Sequence, residues 1–116
     1  MSISKNVLIV EDEPLIAMML EGFLEMMDHR VAGSADSVSS ALDLLNGIHP
    51  DAAILDMNLA GGESSMAVAE ELDRRGIPFV IASGGNVDDG ENVFRGRPRL
   101  LKPFTMDRMS KAIDAL

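Results

Sequence analysis

Ala53-Ile54-Leu55-Asp56-Met57-Asn58 brings three apolar residues up to a carboxylate, and the reading of the fold turns on that acid. A short apolar run bounded by turn residues reads as a buried strand. An acid at the end of a buried strand needs a reason. The pattern recurs along the chain: Val7-Leu8-Ile9-Val10 runs into Glu11-Asp12-Glu13, Phe79-Val80-Ile81-Ala82 into Ser83, and Leu100-Leu101 into Lys102-Pro103. In an open parallel sheet the carboxyl ends of adjacent strands face one crevice, and ligands bind there at the point where strand order reverses. Glu11, Asp12, Asp56, Ser83 and Lys102 are therefore expected to converge.

Helix-like segments lie between these runs, and the alternation is the sign of βαβ units that build a parallel sheet with helices on both faces. Pro14 suits a first helical turn. After it Leu15, Ile16, Met19, Leu20, Phe23, Leu24 and Met27 recur at helical spacing, which predicts a helix over about 14–27. Arg30 to Ala35 reads as a second strand. Asp36 or Ser37 can cap a helix carrying Val38, Ala41, Leu42 and Leu45, with Gly47 placed to end it. His49-Pro50-Asp51 turns the chain into the central strand. A third helix carries Met66, Ala69 and Leu72 and stops at Gly76, and the final one follows a Thr105 cap with Met106, Met109, Ile113 and Leu116 on its apolar stripe. Residues 84 to 98 are rich in glycine and acids, so a helix there is expected to be short or mobile.

A chain of 116 residues is one domain by length, read here as a single domain over 1–116. Its 19 acidic against 10 basic residues give a formal charge of −9, which argues against direct binding to nucleic-acid phosphates. No apolar run approaches a membrane span, and the first residues lack a signal-peptide pattern. The absence of cysteine excludes disulfides and thiolate metal sites and suits a reducing cytoplasm. Nine methionines with no Trp or Tyr suggest a core filled by flexible thioethers, a few of which line a partner surface.

The order and spacing of these motifs resemble the receiver domain of two-component response regulators, over nearly the whole chain. Pro78 to Gly85 resembles the Phe-Ala-Thr-Gly subgroup of stand-alone receivers. The resemblance implies a flavodoxin-like, doubly wound five-stranded sheet in the order 2-1-3-4-5. It also implies a signalling switch rather than a metabolic enzyme. Asp56 is then the phosphoacceptor, taking its phosphoryl group from a phosphohistidine on a partner kinase or histidine phosphotransferase, and the phosphorylated form changes its affinity for a downstream protein. Magnesium is the implied cofactor, with Asp12, Asp56 and the Asn58 carbonyl as direct ligands and Glu11 acting mainly through water. Lys102, the Ser83 hydroxyl and the amides of Met57 and Gly84 are the implied phosphoryl partners, and the Lys102-Pro103 bond is expected to be cis. Dimerisation through the last strand and helix is a habit of the family.

The residues themselves support a cation. Three carboxylates in one crevice repel one another, and hard oxygen ligands suit magnesium, which commonly bridges a carboxylate to a phosphoryl group. Each element alone has a plainer explanation: acids at a helix start are stabilised by its dipole, and a lysine or a serine at a strand end is ordinary. Other readings fit less well. A haloacid dehalogenase-like phosphatase would carry a second aspartate where Asn58 stands. A flavodoxin would carry a hydroxyl and glycine loop where the acids stand. Asp88-Asp89-Gly90-Glu91 lacks the EF-hand ligand pattern. His29 and His49 fall in turns away from the crevice and read as structural. Two alternatives of another class are a docking module of receiver fold that works without phosphorylation and a fragment of a longer regulator. One departure concerns the switch: where receivers commonly carry an aromatic residue three positions before the lysine, this chain has Arg99. Arg99 is expected to pair with Asp88, Asp89 or Glu91 in one state.

Overall fold

The central strands present apolar side chains to both faces in alternation, and that alternation requires a layer of helices on each side. The computed structural model describes residues 4–57, 59, 63–83, 99–101 and 105–116, with residues 83, 99 and 101 described by their backbone. The strands are β1 (Asn6–Val10), β2 (Arg30–Ala35), β3 (Ala52–Asp56), β4 (Phe79–Ser83) and β5 (Arg99–Leu101). The helices described are α1 (Pro14–Met26), α2 (Val38–Gly47), α3 (Met66–Arg74) and α4 (Met106–Asp114). All strand pairs are parallel, in the order β2-β1-β3-β4-β5, so the chain reverses direction across the sheet between β1 and β3. This is the expected doubly wound, flavodoxin-like arrangement. The expected short helix within 84–98 lies outside the described residues.

Leu8, Val10, Ala53, Leu55, Phe79 and Ile81 point to one face and pack with residues of α2 and α3. Their neighbours Val7, Ile9, Ala52, Ile54, Val80 and Ala82 point to the other and pack with residues of α1 and α4. Every residue of β3 is buried, Asp56 included. Close approach on the first face needs Gly33, where an added Cβ would lie 3.2 Å from Leu44 Cδ1.

The helix ends follow local chemistry. Ser37 caps α2 in a capping box with Ser40, so Ser37 rather than Asp36 takes the capping role; Asp36 Oδ1 accepts from Ser40 Oγ at 3.3 Å. Gly47 lies within α2, and Ile48 caps it. Gly76 follows α3 at φ +71°, a backbone region that a side chain disfavours, and its N–H donates to the Asp73 carbonyl at 3.0 Å. Thr105 Oγ1 accepts from Arg108 N at 3.3 Å and starts α4 as expected. At the far end of α3, Arg75 Nη1 donates to the Leu45 carbonyl at 2.5 Å and ties α3 to α2.

The buried face of α1 is largely the one its periodicity suggests: Leu20 and Leu24 are buried with Ala17, and Ile16, Phe23 and Met27 pack against the same cluster. Leu15 and Met19 depart from it, at 79% and 37% exposed, together with Met18 and Met26. The helix carries apolar residues beyond its buried face, so spacing alone does not fix the edge of that face. Met109, by contrast, is fully buried, as a core thioether should be.

Candidate functional site

Glu11 follows β1 directly, and its backbone N–H donates to the Ala35 carbonyl at 2.9 Å, which extends the β1–β2 pairing to the crevice. Its carboxylate Oε2 accepts from the Glu13 amide at 3.2 Å, so the chain folds back around it before α1 begins at Pro14. Asp56 closes β3, the neighbour of β1. The result is a cluster at the reversal point of the sheet: Glu11, Asp12 and Asp56 each offer a carboxylate oxygen, all within 4.8 Å of one another. Glu11 and Asp56 are only 3% and 6% exposed, and Asp12 is half-buried.

Like charges so placed repel by roughly 1 kcal/mol per pair in water and about 3–4 kcal/mol at an effective dielectric near 20. A divalent cation removes the conflict, and three carboxylate oxygens without nitrogen or sulfur donors are a hard-ligand set suited to magnesium or calcium. A cavity of about 340 Å³ opens from the cluster between α1 and the ends of β2 and α2, lined by Glu11, Asp12, Ser34, Asp36 and Ser40.

Of the other expected site residues, Ser83 is the last residue of β4 and Arg99 the first of β5, on neighbouring strands. Asn58, Gly84, Lys102 and the Lys102-Pro103 bond lie outside the described residues, as do the acids at 88, 89 and 91. The Met57 amide donates to the Ala82 carbonyl at 3.1 Å, because the Asp56–Ala82 register carries the β3–β4 ladder one residue beyond the strand.

Two residues that the sequence reading passed over support the loop after Asp56. Ser65 is wholly buried, and both its amide (3.1 Å) and its hydroxyl (3.0 Å) donate to the Met57 carbonyl. Glu63 Oε1 accepts from the Val38 amide at 3.2 Å and joins the same loop to the start of α2. A serine just before a helix reads as a cap, so the sequence carries no signal of where this hydroxyl goes. Among ionisable groups outside the cluster, the Glu71 carboxyl is held below its ordinary value by hydrogen bonds first from Arg74 and then from Arg75. It stands at the exposed end of α3.

A parallel sheet of this order with a carboxylate cluster at its reversal point defines a class: α/β domains that hold a cation beside an acid able to take up a phosphoryl group. The chain belongs to the response regulator receiver domain family, whose profile matches residues 7–114. Such domains are the phosphoacceptor signalling switches of two-component systems. The chain is 56% identical to SdrG of Sphingomonas melonis Fr1, whose solution structure superposes with a TM-score of 0.86 and covers 99% of this chain and 98% of that one. A BeF3-activated conformation of SdrG from Pseudomonas melonis Fr1 matches at 56% identity and a TM-score of 0.81, over 95% of this chain and 93% of that one. The phyllosphere-induced regulator PhyR of Methylorubrum extorquens is 35% identical over 114 residues, which span 93% of this chain and 42% of that protein. The chain spans about half the length of the curated relatives it matches, 42–57%. No helix among the described residues is long and apolar enough to cross a membrane.

Proposed function

We propose that Asp56 accepts a phosphoryl group from a phosphohistidine of a partner kinase or histidine phosphotransferase, and that the change alters the binding of a downstream protein in the cytoplasm. One observation carries the reading: the carboxylate that ends the central strand meets two more from the neighbouring strand end, within 4.8 Å, at the reversal point of the sheet.

An Asp56 carboxylate oxygen attacks phosphorus, the P–N bond to the imidazole breaks, and an acyl phosphate forms while the imidazole nitrogen takes a proton from solvent. Asp12, Asp56 and the Asn58 carbonyl would hold magnesium, with Glu11 acting mainly through water, and the ion would supply neutralisation of the charge that develops on the phosphoryl oxygens. Lys102, the Ser83 hydroxyl and the Gly84 amide bind the remaining oxygens, so catalysis is positioning and charge neutralisation.

Intact mass after incubation with acetyl phosphate, with and without magnesium, tests this for the chain and for Asp56→Asn. A single phosphoryl adduct that requires both magnesium and Asp56 is expected. No adduct under any condition, or an adduct that survives Asp56→Asn, overturns the reading.

A further inference from the structure

Ser65 occupies the position immediately before α3, where a serine hydroxyl ordinarily accepts a hydrogen bond from an amide of the first turn and stabilises the helix by about 1 kcal/mol. Its side chain makes no such bond. The hydroxyl turns back across the loop and donates to the Met57 carbonyl at 3.0 Å, beside the Ser65 amide at 3.1 Å on the same oxygen. The residue is 0% exposed, so this bond is shielded from water and its loss would remove one of the two donors on a buried carbonyl.

Met57 is thereby held on both sides. Its N–H is tied to Ala82 of β4 and its carbonyl to Ser65. The Met57 backbone is thus anchored through both its amide and its carbonyl, immediately after the acid that ends β3. We infer that Ser65 is a positioning residue for the cation site: it gives up its capping bond to hold the Met57 carbonyl, and so anchors the backbone that follows Asp56 and presents its carboxylate to Glu11 and Asp12. The inference rests on the magnesium reading proposed above and adds to it a residue outside the ligand set. Partners of ligands that act at one remove commonly change metal affinity by ~10–100-fold, and Ser65 acts through a peptide that keeps its second donor, so an effect of about 3–10-fold is expected.

The test is a magnesium titration followed by amide chemical shifts, which reads the dissociation constant without any phosphoryl transfer, together with a thermal melt. Four proteins are compared: the chain itself, Ser65→Ala, Ser65→Thr and His29→Leu. His29 Nδ1 accepts from the Lys5 amide before β1, at the opposite end of the sheet from the carboxylates, so its variant removes one buried hydrogen bond remote from Met57. Ser65→Ala is expected to weaken magnesium binding about 3–10-fold, Ser65→Thr to keep the original constant, and His29→Leu to lower the melting temperature without moving the constant. An unchanged constant in Ser65→Ala overturns the positioning role alone. Equal weakening in Ser65→Ala and Ser65→Thr, or weakening in His29→Leu that tracks the loss of stability, shows packing rather than the hydroxyl at work and also overturns it. Absence of any magnesium-dependent shift in the unaltered chain overturns the cation reading itself, and the role of Ser65 with it.

Discussion

Ser37 and Ser65 stand at the same place relative to their helices and use their hydroxyls in opposite ways. Ser37 Oγ accepts from the Ser40 amide at 3.1 Å, and the Ser37 amide donates to Ser40 Oγ at 3.2 Å. Two backbone donors that α2 would otherwise leave to solvent are satisfied reciprocally by side-chain oxygens. Ser37→Ala is expected to cost about 1 kcal/mol, read as a lower urea midpoint with an unchanged slope. His29 also has a single defined use. It is 6% exposed, and its Nδ1 accepts from the Lys5 amide at 3.1 Å, just before β1. An accepting Nδ1 carries no proton, so the neutral ring holds its proton on Nε2. Nitrogen chemical shifts of the ring should report that tautomer. His29→Leu should cost about 1–3 kcal/mol, because the Lys5 amide then lacks its acceptor. The histidine is structural, as its place in a turn suggested, and stands at the opposite end of the sheet from the carboxylate cluster.

At the scale of elements, the strands were legible and the edge of one helix face was not. Runs such as Val7-Leu8-Ile9-Val10 are apolar on both alternations, which only a strand covered on two sides tolerates, and the acids that end β1 and β3 were readable as neighbours once a parallel order was assumed. In α1 the same richness in apolar residues hid the edge of the buried face, which takes in Ile16, Leu20, Phe23 and Leu24 but leaves Leu15 exposed. Leu20→Ala should therefore cost about 2–5 kcal/mol, while Leu15→Gln and Met26→Gln should change stability by no more than about 0.5 kcal/mol; thermal denaturation of the three variants separates the two faces. Equal losses at positions 15 and 20 would extend the buried face to Leu15, as periodicity suggested. The support of the loop after Asp56 was illegible for another reason: hydroxyl-to-carbonyl bonds such as that of Ser65 join residues 57 and 65 without any sequence pattern. The end of α3 shows a third kind of dependence. Glu71 bonds Arg74 and Arg75, and its folded-state value is depressed, so its contribution is present above the ordinary carboxylate value near 4.5 and is lost as pH falls through the lower folded value. The stability difference between the chain and Glu71→Gln should vanish in acid and be modest at higher pH, since the Arg74 partner is largely exposed while Glu71 and Arg75 are only partly so.

At the scale of the whole molecule, the acidic balance and the local cluster make separable claims. A net charge of −9 means that any salt should stabilise the fold somewhat by screening repulsion among surface carboxylates. The carboxylates of Glu11, Asp12 and Asp56 are different, because they lie within 4.8 Å of one another and two of them are buried. That spacing is well inside the screening length of about 8–10 Å at physiological ionic strength, so diffuse sodium relieves their repulsion poorly. A cation seated among them relieves it directly and adds binding free energy to the folded state alone. At magnesium concentrations near 100 times its dissociation constant the gain is about 2.7 kcal/mol, which for a domain of this size raises the melting temperature by roughly 10 °C. Sodium chloride at matched ionic strength should give only a minor part of that rise. Asp12→Asn removes one of the mutually repelling charges and one ligand together, so it should melt at or above the temperature of the unaltered chain without magnesium and lose most of the magnesium-dependent rise. Melting curves in magnesium chloride, in matched sodium chloride and in chelator decide the matter. Equal rises in the two salts would reduce the cluster to a part of the general acidic surface, whereas a magnesium-specific rise that Asp12→Asn abolishes would tie the stability of the folded chain to the carboxylates that frame Asp56.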